Sequence, residues 1–105
     1  MSDHRQLFGN PVMATATGTT SAVASLPAVI GTRYYITDIS ASSDKAGSVI
    51  LVKDGTTVIW QDIVGAGNYR MSFNMPLSST FANAVSVTVD GVSASNANLS
   101  GYSIA

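Results

Sequence analysis

No cysteine and no glutamate occur among the 105 residues, histidine occurs once, and only 10% of the chain is charged. Each shortage excludes something. Without cysteine there is no disulfide framework, no thiolate nucleophile and no zinc knuckle. Without glutamate, and with few lysines and leucines, the chain is short of the residues that favour helices. No stretch shows the i, i+3, i+4 apolar recurrence of an amphipathic helix over a useful length. No run approaches the roughly 18 apolar residues of a membrane-spanning helix, so no membrane partner is expected. Ordinary soluble domains carry roughly 25% charged residues. Here the five cations, Arg5, Arg33, Lys45, Lys53 and Arg70, are scattered and offset by six aspartates, for a net charge of −1. A phosphate backbone needs clustered Lys and Arg, so nucleic acid is not an expected partner either. A surface so poor in charge favours association.

Catalytic material is equally scarce. The sole histidine, His4, sits between Asp3 and Arg5 near the N-terminus, where no rigid pocket would lock it. Asp44, Asp54 and Asp90 stand in loop or turn contexts that aspartate favours for backbone reasons. Asp38 and Asp62 are strand aspartates suited to structural hydrogen bonding. No Asp-x-Asp-x-Asp calcium loop is present. Gly65-Ala66-Gly67 is followed by neither a helix nor a Lys-Ser/Thr pair, so it is no phosphate loop. Asn98-Leu99-Ser100 matches a glycosylation sequon, which means little without a secretory signal. The expectation is a protein with no enzymatic activity, no metal and no cofactor.

What the chain does have is β-branched and apolar residues in short runs. The organising stretch is Gly47 to Ile63, GSVILVKDGTTVIWQDI. Asp54-Gly55 between two such runs is a strong two-residue hairpin signal. That turn pairs Lys53 with Thr56, Ile50 with Ile59 and Val49 with Trp60. Alternation then puts Val49, Leu51, Val58 and Trp60 on one face, and Ile50, Val52 and Ile59 on the other. Both faces are apolar, whereas a hairpin covered on one side reads apolar-in, polar-out. We assign the Trp60 face to the opposite sheet, and the face of Ile50, Val52 and Ile59 to a contact with another subunit or with an N-terminal arm.

Residues 1–11 are expected to form that arm. MSDHRQLFGNP lacks the apolar h-region of a secretory signal, which points to folding in the cytoplasm, and Gly9-Asn10-Pro11 breaks regular structure. The Leu7-Phe8 pair is costly to leave in water, so Leu7 and Phe8 join the candidate interface. Residues 12–105 form a single domain. Alternating runs at 12–17, 21–26, 33–40, 69–75, 84–90 and 99–104 add to the two hairpin strands, with Pro27 and Pro76 as stops. Tyr69, Met71, Phe73 and Met75 share one face; Val85, Val87 and Val89 share another. Seven or eight short strands divided by turns predict an all-β antiparallel sandwich, jelly-roll-like. Trp60, Tyr69, Phe73 and Val87 are its expected core anchors. The alternative use of the aromatics is a sugar-stacking platform built from Trp60, Tyr34, Tyr35 and Tyr69.

From Tyr69 onward, a strand ending in Pro76, a polar connector and then AVSVTVDGVSASNANLSGYSI follow one another. This C-terminal third, with its closing Gly101-Tyr102, resembles the small β-sandwich virion proteins of tailed bacteriophages, and so does the cysteine-free, charge-poor composition. The resemblance implies a capsid decoration (cement) protein on the virion surface. Such a protein self-associates into a homo-oligomer, for instance a trimer, and binds the major capsid protein through extended arms and repeated contacts. The alternative is a tail or fibre accessory protein that binds a host receptor or carbohydrate.

Overall fold

Residues 10–80 and 82–104 are described in a computed structural model of the chain. They form eight strands: β1 (Asn10–Gly18), β2 (Ser21–Leu26), β3 (Arg33–Ser43), β4 (Val49–Asp54), β5 (Thr57–Ile63), β6 (Gly67–Ser78), β7 (Val85–Asp90) and β8 (Ser95–Ile104). All pairings are antiparallel. Sheet I has the order β1-β8-β3-β6 and sheet II the order β2-β7-β4-β5. The pairs 4-5, 3-6, 2-7 and 1-8 nest about the β4–β5 hairpin, as though one long hairpin had been rolled into two layers. This is the eight-strand jelly-roll arrangement. The Gly47–Ile63 stretch is its topological centre. Leu7, Phe8 and most of the expected arm lie outside the described residues, while Asn10 and Pro11 already belong to β1.

Period-two alternation builds the core. Ala22, Ala24 and Leu26 of β2, Ile50 and Val52 of β4, and Val85, Val87 and Val89 of β7 face Ile36, Ile39 and Ala41 of β3 and Ala97 and Leu99 of β8. Side-chain size sets the gap between the sheets. Ala14, Ala16, Ala22, Ala24 and Ala97 line the side of β1, β2 and β8, and there the two sheets come close. On the opposite side Trp60, Tyr69, Met71, Phe73 and Leu77 pack against the core and fill the space between β5 and β6.

Three irregularities re-aim side chains. β3 has a bulge between Ile36 and Asp38, with Thr37 as its extra residue against β8. Opposite it, β6 pairs Ser72 with Asp38 and Leu77 with Ile36, so residues 73–76 loop out against Thr37 alone. Pro76 therefore does not end this strand, which runs on to Ser78. Like Pro11 in β1, Pro76 lies in an edge strand, where a missing N–H costs no ladder bond. The excursion also turns Met75 outward, against its expected place beside Phe73.

The third irregularity changes the hairpin. The turn is Gly55-Thr56, with Asp54 paired to Thr57, and not Asp54-Gly55. Gly55 has φ 63° at the first turn position, where a type II′ turn places glycine. Asp54 is held back in β4 because its buried carboxylate accepts bonds from Thr80 N (2.9 Å), Thr80 Oγ1 (2.7 Å) and Asn83 Nδ2 (3.2 Å). The Gly55 N–H donates to Ala84 O at 2.8 Å. A bulge follows at Ile59, and Val52 pairs with Trp60, Leu51 with Gln61 and Val49 with Ile63.

Candidate functional site

The bulge at Ile59 exchanges the roles of the two hairpin faces. Ile50 and Val52 are 0% exposed and lie between the sheets, so they are not the contact surface expected of them. Ile59 is half-buried against the core, as is Trp60, which now shares the inner face with Val52. An extra residue in β5 shifts parity by one, and every side chain beyond it changes face. The hairpin is apolar on both sides, as its sequence indicates, but the exposed side is the other one. Val49 (37%), Val58 (43%) and Ile63 (69%) face solvent beside half-buried Leu51.

These residues belong to the outer face of sheet II. Leu51 pairs with Thr88, which pairs with exposed Val23, and Val58 lies opposite Lys53. The face is thus a patchwork of Val, Leu and Ile with Ser, Thr, Gln, Lys53 and, opposite Ser21, Asp90 with its ion-pair partner Lys45. Four strands at ~4.8 Å and six residues at ~3.4 Å give it a planar area of about 400 Å². Its margins are the edge strands β2 and β5, and β5 carries no proline and no lysine but has the Ile59 bulge and Asp62, devices that blunt an edge against pairing.

Val87 is fully buried, whereas Trp60, Tyr69 and Phe73 are half-buried at the open side of the sandwich. Trp60 meets Phe73 edge-on at 5.4 Å and Tyr69 at 6.0 Å. The Tyr69 hydroxyl donates to Asp62 Oδ2 at 2.7 Å, and burial together with that carboxylate raises the phenol's pKa. The four residues of the sugar-stacking alternative do not converge. Tyr34 is 4% exposed and donates its hydroxyl to Pro27 O, while Tyr35 stacks on Tyr102 on the outer face of sheet I.

Each aspartate among the described residues is engaged structurally. Asp44 accepts from the backbone N–H groups of Val92, Ser93 and Ala94 and from the Ser93 hydroxyl, and these bonds hold its carboxyl well below the usual range. Lys45 and Ser48 bring Asp90 down to about 2. Burial pushes Asp54 up, but its bonds from Thr80 and Asn83 outweigh this and the net shift is downward. Ser72 and Thr37 lower Asp38, and Tyr69 and the Ile63 N–H lower Asp62. Carboxylates locked in the ionised form are poor proton carriers at neutral pH. Among the described residues no cluster of three or more His, Cys, Asp or Glu side chains forms a metal cage.

No family model matches the sequence, and no curated protein matches it significantly. Solved structures align with the chain only loosely. The crystal structure of FlhE aligns over 90% of this chain and 98% of its own at 9% identity, with a TM-score of 0.49. Dimeric latent PorU from Porphyromonas gingivalis aligns at 10% identity over 90% of this chain and 12% of its own, TM-score 0.48. The insecticidal delta-endotoxin Cry8Ea1 from Bacillus thuringiensis gives 15% identity over 87% and 19%, TM-score 0.45. At such scores and identities the likeness carries no argument about activity.

Proposed function

We propose that the chain is a non-enzymatic structural protein that associates with its own copies and decorates a larger shell, as a cement protein does on a bacteriophage capsid. The observation that supports this most directly is the outer face of sheet II, where Val23, Val49, Val58 and Ile63 stand in solvent on a chain with few charges to keep copies apart. The intended occupant of that face is a second copy. A standard interface takes about 800 Å² per partner, roughly twice what this face offers, so one such contact is weak. Weak contacts become strong when repeated, since each attachment raises the effective concentration of the next. A shell that binds many copies only when assembled is stabilised by that binding. Use of every described aspartate in structural hydrogen bonds also suits a scaffold better than a catalyst.

Sedimentation velocity of the full chain tests the reading. The wild type is expected to self-associate with rising concentration, and Val58→Asp and Ile63→Asp to remain monomeric with unchanged circular dichroism. Co-sedimentation with phage particles should fall in the same variants. A wild-type chain that stays monomeric at millimolar concentration and fails to bind particles would overturn the proposal.

A further inference from the structure

The outer face of sheet I differs in chemistry from that of sheet II and carries polar side chains with bonding capacity to spare. Alternation and register arrange it in rows across the four strands. One row runs Thr15, Asn98, Ser40, Arg70, and the next runs Met13, Ser100, Asp38, Ser72. Between them lies an open groove of about 440 Å³ whose floor is Ser40, Asn98 and Ser100, with Arg70 and Asp38 on one side. It continues past Ser40 and Arg70 toward Asn68 and Asn96, and past Met13 and Ser100 toward Thr37 and Pro11. At that second end Tyr35 and Tyr102 stack at 5.0 Å with their planes 15° apart. Six residue steps along β8 lead from Asn96 to Tyr102, so the groove is roughly 20 Å long.

Its hydrogen-bonding capacity is only partly spent. Asp38 Oδ1 accepts from Ser72 (2.6 Å) and Oδ2 from Thr37 (2.9 Å), and each carboxylate oxygen can accept a further bond. Asn98 donates to Ser40 Oγ at 3.1 Å, leaving its carbonyl oxygen and second N–H. Arg70 is exposed, and its fork of five donors makes no hydrogen bond or ion pair with the other described residues. One Arg against one Asp leaves the groove without net charge. That balance disfavours a polyanion, which needs clustered cations. The lining is mixed, apolar at Met13, Val12 and Pro11 and polar at Ser40, Asn98 and Ser100, so an apolar segment laid along its whole length would strand the polar groups.

We propose that this groove binds a neutral oligosaccharide. Sugar hydroxyls donate and accept at once, which matches a floor of mixed amides and hydroxyls flanked by one carboxylate and one guanidinium. The apolar faces of sugar rings find surface on exposed Met13 and at the Tyr35–Tyr102 pair, since aromatic rings combine an apolar face with a polar edge.

The test uses the full chain on a printed array of neutral and acidic glycans, with each hit titrated into ¹⁵N-labelled protein. The expected result is a neutral glycan that shifts the amides of residues 38–40, 70–72 and 98–100. Arg70→Ala should weaken it by about tenfold or more, the value of one lost charged hydrogen bond. Thr15→Trp removes none of the groove's hydrogen bonds and fills the space, so it should abolish binding in a protein of unchanged melting temperature. Binding of acidic glycans alone, shifts confined to the Trp60–Phe73 side, binding that survives Thr15→Trp, or no neutral hit would each overturn the proposal.

Discussion

The face assignment of β4 can be tested by two neighbouring truncations, Ile50→Ala and Val49→Ala. Ile50 is fully buried and pairs with Val89 of β7, itself fully buried. Removing three carbons there loses about 2.4 kcal/mol of transfer energy at ~0.8 per methylene. The cavity left between two sheets adds to this, so the total should be about 3–4 kcal/mol, inside the range for Ile→Ala in cores. In a domain of this size that lowers the melting temperature by roughly 12–25 °C. Val49, one residue earlier and on the outer face, should cost the isolated chain about 0.5 kcal/mol or less, as surface changes do. Trp60 is the only tryptophan and half-buried, so its fluorescence reports urea unfolding directly. Measurements belong at low micromolar concentration, where the proposed self-association would not add to the stability of the wild type. Equal losses for the two variants, or an Ile50→Ala loss under about 1 kcal/mol, would refute the parity derived from the Ile59 bulge.

Asp54→Ala removes an acceptor of three hydrogen bonds and leaves the Thr80 N–H without its partner. A loss of about 1–3 kcal/mol is expected in the same urea assay, and a neutral result would mean that the β6–β7 connection is not tied to the hairpin. A Cβ on Gly101 would stand 2.0 Å from Tyr35 O, so Gly101→Ala must push β8 from β3. It should cost about 3 kcal/mol, at the upper end for overpacking, and amide exchange should speed up along β8. The aspartates set the acid limit. Asp38, Asp44, Asp54, Asp62 and Asp90 all have folded pKa values below their ordinary value. The folded chain therefore binds fewer protons than the unfolded one, and stability falls as pH drops below about 4. The urea midpoint should be level from pH 7 to about 5 and then decline toward pH 2; a level midpoint down to pH 3 would contradict the role given to these carboxylates.

Strand positions were legible because alternation is strict where one face is buried. β2, β7 and the first part of β6 read almost residue for residue, and Asp54-Gly55 marked the hairpin that proves to be the centre of the roll. What stayed hidden depends on contacts distant in sequence. Asp54 is kept out of the turn by Thr80 and Asn83, 26 and 29 residues away. The bulge at Ile59 lies within an unbroken apolar run, Val58-Ile59-Trp60, where no polar residue marks a change of parity. The excursion at 73–76 contains Pro76, which reads as a stop, yet an edge strand tolerates a proline whose N–H would face solvent. The apolar excess of the hairpin was therefore visible, and its direction was not.

That direction decides how the two proposed surfaces relate. Stacked sheets lie about 10 Å apart and turn their outer faces in opposite directions. A copy packed on Val49, Val58 and Ile63 of sheet II cannot cover the groove between Arg70 and Asn98 of sheet I. Had Ile50 and Val52 faced outward, Val49 and Leu51 would have filled the interior, and the polar side chains of sheet I would have faced the same solvent as before. The sheet I groove therefore depends only on the register of β1, β8, β3 and β6. The contact surface depends on one extra residue in β5. Association and sugar binding should accordingly separate: Ile63→Asp removes the first and leaves the second, and Thr15→Trp does the reverse. On the two proposals together, one face of the chain would hold a lattice and the other would stay free for a ligand.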